Sequence, residues 1–268
     1  MTSHDVVSRV RKRLDTRRVG HLGTLDPAAT GVLPLTLGKA TRLARFLPSS
    51  PKEYIGEIRL GWATTTCDLK GDPLGKRKNV DIDREALLEA MASLTGTIQQ
   101  VPPAYSAKKI AGVRAYKLAR KGRQVNLAPV PVEIQAFDLE AFEAGLITFR
   151  VVCSSGTYIR SMARDLGEKL ETGGHLFSLR RTRAGDFDIG RAIGPEDASW
   201  DDVIPPEQLM ADLPRIDVGP EFEDCIRHGR TIPTDEKSSP LRICNKKGQL
   251  IAIAALDRGW AHPEVVLL

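Results

Sequence analysis

Asp26 is the residue on which chemistry would first be built, because its surroundings specify one conformation for one carboxylate. It stands in the run Gly20-His21-Leu22-Gly23-Thr24-Leu25-Asp26-Pro27-Ala28-Ala29-Thr30-Gly31-Val32-Leu33-Pro34. The proline after it pushes Asp26 out of the helical region toward extended geometry. Gly20, Gly23 and Gly31 permit tight turns and close approach of the backbone to a ligand. An Asp-Pro pair among glycines is also common turn chemistry, so the pair alone does not separate a reactive carboxylate from a turn. A second chemical group is Arg160, at the start of a helix that follows an apolar strand. Unpaired amides and the helix dipole favour an anion there, so this arginine is placed to meet a phosphate or a buried carboxylate. A third feature is a block of charge. Residues 90 to 132 hold no acid, while Lys108, Lys109, Arg114, Lys117, Arg120, Lys121 and Arg123 supply seven positive charges, against +5 for the whole chain. Basicity concentrated in this way is the footprint of a nucleic-acid partner, with a solvated helix face as the alternative. Tyr105 and Tyr116 add aromatic surface on which unpaired bases stack.

The elements that must position these groups follow from hydrophobic period. Ser3 is expected to cap a helix with Val6, Val7, Val10 and Leu14 as its apolar stripe. Its other face carries Arg9, Arg11, Lys12 and Arg13, with Arg17 and Arg18 beyond; phosphate contact and a solvated face are equally open. Residues 32 to 37 read as a buried strand, and 39 to 47 as a helix with Ala40, Leu43 and Leu47 inward. Tyr54, Ile58, Leu60 and Trp62 share one face of an alternating strand, with Glu57 and Arg59 opposite, so by pattern Tyr54 is a core tyrosine. Residues 64 to 79 form a polar loop in which Asp68, Gly71 and Asp72 read as turn residues. Asp83 caps a helix that buries Leu87, Leu88, Met91 and Leu94. Ile147, Phe149, Val151 and Cys153 mark a strand running into Ser154-Ser155-Gly156-Thr157. The next helix turns Ile159, Met162, Leu166 and Leu170 to the core and sets Arg160 and Arg164 together on another face. From residue 213 the chain is electrically neutral and breaks into short apolar stretches, 241–244 and 250–255, with Pro205, Pro206 and Pro214 marking a boundary.

At 268 residues the chain is long enough for one large domain or a large and a small one. No apolar run is long enough to cross a bilayer, and the start of the sequence has no hydrophobic signal core, so no membrane partner and a cytoplasmic location are expected. Cys67, Cys153, Cys225 and Cys244 are far apart and read as reduced, structural thiols rather than a zinc site. Walker, Rossmann and zinc patterns are missing, so neither a metal nor another cofactor is expected.

The Asp26 run closely resembles the G-H-x-G-T-L-D-P-x-A-x-G-V-L-P signature of the bacterial tRNA pseudouridine synthase B (TruB) family. The resemblance continues, in the family order, through Gly38-Lys39-Ala40-Thr41-Arg42-Leu43, Lys52-Glu53-Tyr54, Val101-Pro102-Pro103-Ala104-Tyr105-Ser106-Ala107-Lys108-Lys109, Arg114-Ala115-Tyr116 and Ser155-Gly156-Thr157-Tyr158-Ile159-Arg160. It implies an α/β (α+β) pseudouridine synthase fold with a mixed, mainly antiparallel sheet flanked by helices over residues 1–212, including a basic RNA-binding segment at about 100–126. A small β-rich, PUA-like domain would follow over 213–268. The implied reaction is isomerisation of uridine-55 in the T-loop of tRNA, without a cofactor, by a monomer. Asp26 would be the catalytic aspartate, Arg160 its partner, and Tyr54 the tyrosine lying against the target base. His21, Tyr158, Leu179 and Arg42, the last standing where the family often has lysine, would contact the substrate. Lys108, Lys109, Arg114, Lys117, Arg120 and Lys121 would contact RNA. Relatives usually carry a further strand and a Lys-Pro-x-Gly segment ahead of the stretch found here as Thr2-Ser3-His4-Asp5, a departure that leaves a sheet edge or pocket wall open to question, through either a true truncation or a start site placed too late. The competing expectation is an RNA-binding or tRNA-folding protein with an impaired site, distinguished by tight binding without product.

Overall fold

The computed structural model describes residues 1–47, 50–110 and 112–268. They pack as two units, one made of residues 1–24, 33–47 and 193–268, the other of 25–32 and 48–192.

The second unit is built on a seven-stranded sheet. Its strands run in the order Phe187–Asp188, Gly174–Ala184, Lys52–Leu60, Leu146–Cys153, Val130–Glu143 and Gly96–Gln100, all antiparallel, while Thr30–Gly31 joins Gly174–Ala184 in parallel. The sheet is therefore mixed and mainly antiparallel. Alternation explains which face is dry: Ile147, Phe149, Val151 and Cys153 are fully buried, as are Ile58 and Ile134 on neighbouring strands. Helices Arg84–Ala92 and Ile159–Lys169 contribute Leu87, Met91, Met162 and Leu166 to the same core. Phe149 meets Phe137 edge-on at 5.6 Å between ring centres. The other face is polar: the Glu53 carboxylate accepts from Arg150 Nη2 at 2.6 Å and Thr182 Oγ1 at 3.0 Å.

Two expectations fail here. Leu88 is 43% exposed, because Leu87 and Met91 already occupy the inward line and the next residue is turned about 100° away on a helix. Trp62 lies outside the strand, which ends at Leu60 where Gly61 takes φ +109°. Its ring packs instead against His175, 4.9 Å away, with the Arg77 guanidinium 4.8 Å from its centre.

In the first unit, helix Ser3–Arg13 is capped by Thr2 rather than Ser3: Thr2 Oγ1 accepts from the Asp5 amide, and the Asp5 carboxylate accepts from the Thr2 amide in return. Val7, Val10 and Leu14 are buried as expected. The strand expected over 32–37 shrinks to Leu35–Leu37, paired with Val19–His21, since Pro34 has no amide to give a ladder. The following helix is a 3₁₀ segment, Gly38–Leu43; Leu43 and Leu47 are buried but Ala40 only partly. Near the carboxyl end a five-stranded sheet, Arg215–Val218, Leu241–Asn245, Leu250–Asp257, Trp260–Val266 and Ile232–Pro233, encloses its own core of Ile226, Leu241, Ile243, Ile251 and Ala254 with helix Pro220–Arg227. Among the described residues no helix is long and apolar enough to cross a membrane.

The packing predicts a contrast measurable by urea denaturation. Phe149→Ala should cost about 3–5 kcal/mol by opening a cavity in the sheet core, whereas Leu88→Ala should stay within about 0.5 kcal/mol.

Candidate active site

The site begins with the end of one strand. Gln100, fully buried, uses both ends of its amide on the backbone of Tyr158: Nε2 donates to the Tyr158 carbonyl at 3.1 Å, and Oε1 accepts from the Tyr158 amide at 2.8 Å. Ser161 Oγ donates to the Val101 carbonyl at 2.8 Å. These bonds seat the first turn of helix Ile159–Lys169 and turn Arg160 inward, where it is 6% exposed.

Arg160 then ties three distant segments of chain to its own helix. Nε donates to Asp26 Oδ2 at 2.8 Å and Nη2 to Asp26 Oδ1 at 2.9 Å, a two-pronged pair that fixes the carboxylate's plane as well as its place. Nη1 donates to the Thr66 carbonyl at 3.2 Å, Nη2 also to the Tyr105 carbonyl at 3.1 Å, and Asp68 Oδ2 lies 3.8 Å from Nε. Of the phosphate and the carboxylate open to Arg160 by sequence, the structure takes the carboxylate. The Asp26 side chain keeps 36% of its surface exposed, so one side of the carboxylate is open to an incoming group.

The loop bearing Asp26 is held at both ends within this unit. Leu25 packs against the sheet core, the Asp26 carbonyl accepts from the Ala29 amide at 2.9 Å, and Thr30–Gly31 pairs with Arg180 and Arg181. Gly31 has φ +105°, and a Cβ there would fall 2.1 Å from the Arg181 carbonyl oxygen, so this glycine is required.

Tyr54 is 7% exposed and belongs to the core cluster. Burial raises its phenol pKa, the charge of Arg181 opposes that rise and the charge of Asp26 adds to it. Tyr158 is half-buried; burial raises its phenol too, against a hydrogen bond with Ser106 and the field of Arg160. Leu179 packs against the cluster that includes Tyr54. Both phenols thus feel the charge of Asp26, and Tyr158 that of Arg160 as well, within one unit. His21 and Arg42 belong to the other unit: His21 Nδ1 accepts from the Gly23 amide at 3.4 Å, and Arg42 Nη1 donates to the Val266 carbonyl at 2.7 Å.

Sequence reading missed Thr66, Asp68, Gln100 and Arg181. Asp68 does make the turn expected of it, with Oδ1 accepting from Thr66 Oγ1 at 2.6 Å and from the Lys70 amide at 3.0 Å, while its second oxygen faces Arg160. This loop hangs on strand Gly174–Ala184, where Leu176 exchanges bonds of 3.0 Å with Cys67 and Leu69. Lys108, Lys109, Arg114, Lys117, Arg120, Lys121 and Arg123 are all exposed. They flank the hairpin of Lys109–Ile110 with Val113–Arg114 and the short helix Ala115–Ala119, and Arg120 lies over the Tyr116 ring at 5.5 Å. Two cations of the first helix are engaged internally, Arg9 with Glu196 and Arg13 with the Ala198 carbonyl.

Comparison with known proteins bears on this geometry. Residues 11–159 match the model of the TruB family pseudouridylate synthase N-terminal domain, and 160–199 match that of the tRNA pseudouridylate synthase B C-terminal domain. The chain is 41% identical to a tRNA pseudouridine synthase B of Solibacter usitatus, over 99% of this chain and 96% of that one. It is 43% identical to one of Thermobifida fusca, over 99% and 94%. Among solved structures it resembles a chain in the crystal structure of a Cbf5-Nop10-Gar1 complex, with a TM-score of 0.71 and 25% identity over 100% of this chain and 82% of that one.

The loop's anchorage makes a pH prediction. Burial lowers the pKa of His175, whose Nδ1 contacts the Trp62 carbonyl at 3.1 Å, so the fold favours the neutral ring. The unfolded chain then takes up a proton where the folded one does not; stability is full above the ordinary histidine range and falls as pH drops through it. Thermal unfolding from about pH 7 to about pH 5 should show this loss, and His175→Gln should flatten it.

Proposed function

Because the chain belongs to the TruB family of pseudouridylate synthases, we propose that Asp26 is its catalytic carboxylate and that the uridine it converts is uridine-55 in the T-loop of tRNA. The enzyme is a pseudouridine synthase, an isomerase acting on tRNA. The observation that supports the finer reading is the two-pronged bond from Arg160 to a carboxylate that remains partly open.

The reaction breaks the bond between ribose C1′ and uracil N1, turns the base, and joins C1′ to C5; the proton leaving C5 is balanced by one gained at N1, with no net redox change. A carboxylate serves it by attacking the ribose or by taking a proton from it as the base departs. Arg160 holds both oxygens of Asp26 before substrate arrives, so the group is oriented without reorganisation during the reaction. The uridine must leave its stack to reach the carboxylate, at a cost of about a few kcal/mol. Tyr54 and Leu179 would lie against the extracted base and Tyr158 would line its surroundings. His21 would help hold the opened loop, and Arg42, already bonded to Val266, would add positive charge. The exposed cations from Lys108 to Lys121 would take the backbone phosphates. Residues 1–212 are proposed as the catalytic region and 213–268 as a PUA-like domain, whose neutrality suits shape contacts or a structural part more than phosphate binding.

Two measurements test this. With unmodified tRNA transcript, carbodiimide treatment and primer extension should give a stop at the T-loop uridine that Asp26→Asn abolishes while tRNA binding persists; equal modification by the variant would overturn the assignment. Replacing Lys117 and Lys121 by alanine should weaken binding across tRNA sequences and reduce the salt slope of affinity by about 1 for each phosphate no longer neutralised.

A further inference from the structure

Among the described residues Arg181 is the largest side chain with no exposed surface. Its neighbours in Arg180-Arg181-Thr182-Arg183 face the other way: Arg180 is exposed, as alternation predicts, and a bulge between Arg181 and Arg183 turns Arg183 to the polar face, where it reaches Glu53 at 3.6 Å. Only Arg181 points into the dry side of the sheet. A guanidinium there is costly unless its donors are committed, so its commitments show what the position is for.

They converge on the proposed chemistry from two sides. Arg181 Nε donates to the Val32 carbonyl at 2.8 Å, and the Arg181 carbonyl accepts from the Val32 amide at 3.0 Å, so one residue grips the exit of the Asp26 loop by side chain and backbone together. Gly31, just before, lies against the same Arg181 backbone so closely that no side chain fits. On the neighbouring strand Arg181 is registered opposite Tyr54, and its guanidinium, by charge and by donating toward the phenol oxygen, opposes the rise that burial gives the Tyr54 phenol. A guanidinium only donates. The phenol oxygen therefore accepts from Arg181, and its own proton is directed elsewhere, which sets the rotation of the hydroxyl.

We propose that Arg181 is a positioning residue for uridine isomerisation, locking the Tyr54 phenol and the exit of the Asp26 loop to one another through a single buried guanidinium. The inference rests on the reading of Asp26 as the catalytic carboxylate. Arg160 orients the carboxylate; Arg181 orients the loop that carries it and the ring that would face the base. Lysine keeps the charge at this position but not the fork that reaches both acceptors.

The test is a double-mutant cycle on the full chain with unmodified tRNA transcript: Arg181→Lys, Tyr54→Phe and both together. Single-turnover rate at saturating enzyme, tRNA affinity and Tm are measured for each. Arg181→Lys should slow the single-turnover step by about 10²-fold with affinity held within about threefold, the signature of misplacement rather than weakened binding. In the Tyr54→Phe background the same change should cost markedly less, because part of its effect passes through the phenol. An equal cost in both backgrounds, or a loss confined to affinity, overturns the proposal. If Arg181→Lys does not fold, Tyr54→Phe alone decides: removing the phenol oxygen strands a buried donor and should lower Tm, and an unchanged Tm overturns the proposed lock. A wild-type chain that leaves the T-loop uridine unconverted, or an Asp26→Asn variant that converts it normally, would sink the reading of Asp26 itself. Normal wild-type turnover with independent effects at 181 and 54 would sink only this inference.

Discussion

The ion pair between Arg160 and Asp26 is the interaction around which the second unit is arranged. Arg160 is the partner that depends on it, since a buried guanidinium left without its carboxylate typically costs about 3–5 kcal/mol, while Asp26 keeps one side open to solvent. Both bonds are short, at 2.8 and 2.9 Å, and the remaining donors reach the Thr66 and Tyr105 carbonyls. The loop at 25–32, the loop at 64–72, the start of the basic segment and the helix after the long strands therefore share one centre. Preorganisation here has a concrete meaning, since moving any one of the four means giving up a bond to the buried Arg160 guanidinium.

Around this centre the sheet does two jobs with its two faces. The apolar face, from Ile58 to Phe149 and Val151, supplies the rigid floor on which Tyr54 and Leu179 rest. The polar face ties neighbouring strands through Glu53, Arg150, Thr182 and Arg183. Burial alone would raise the pKa of Glu53, but hydrogen bonds from Arg150 and Thr182 and the nearby positive charges together lower it, so its contribution is full above the ordinary glutamate range and is lost as the pH falls from there through the lowered value. Cys153, at the edge of the floor, is pushed up to about 11 by burial and behaves as a packed apolar group rather than a nucleophile.

The basic segment is a different kind of structure. It has a two-residue-per-strand hairpin and a five-residue helix, with its cations exposed. Most of its described residues from 107 to 126 are exposed, and one link to the rest is the Tyr105 carbonyl, which accepts from Arg160 Nη2. A segment of this make-up can adapt to a charged partner while its root stays attached to the Arg160–Asp26 pair.

Much of this was legible in the residues themselves, where the information is local. The Asp26 run, with a proline fixing its neighbour and glycines where no Cβ fits, marks the loop without any tertiary knowledge, and Gly31 bears that out at φ +105°. The alternation of Ile147, Phe149, Val151 and Cys153 and the stripe of Met162 and Leu166 mark the core, because a two-residue and a 3.6-residue period leave few other choices. The block of missing acids marks an electrostatic face, because charge adds up along a short stretch. What only the tertiary structure decided are contacts between residues distant in sequence. Leu88 turned outward because two neighbours already filled its line against the sheet, whereas the cap at Thr2 rather than Ser3 is a local matter, a capping box with Asp5. Asp68 and Arg181 carry no local sign of their place: one is a turn aspartate and the other the second of three arginines in four residues. Each acquires its meaning from chain that arrives from far away, Arg160 in one case, Val32 and Tyr54 in the other. Periodicity tells which way a side chain points; only packing tells what it finds there.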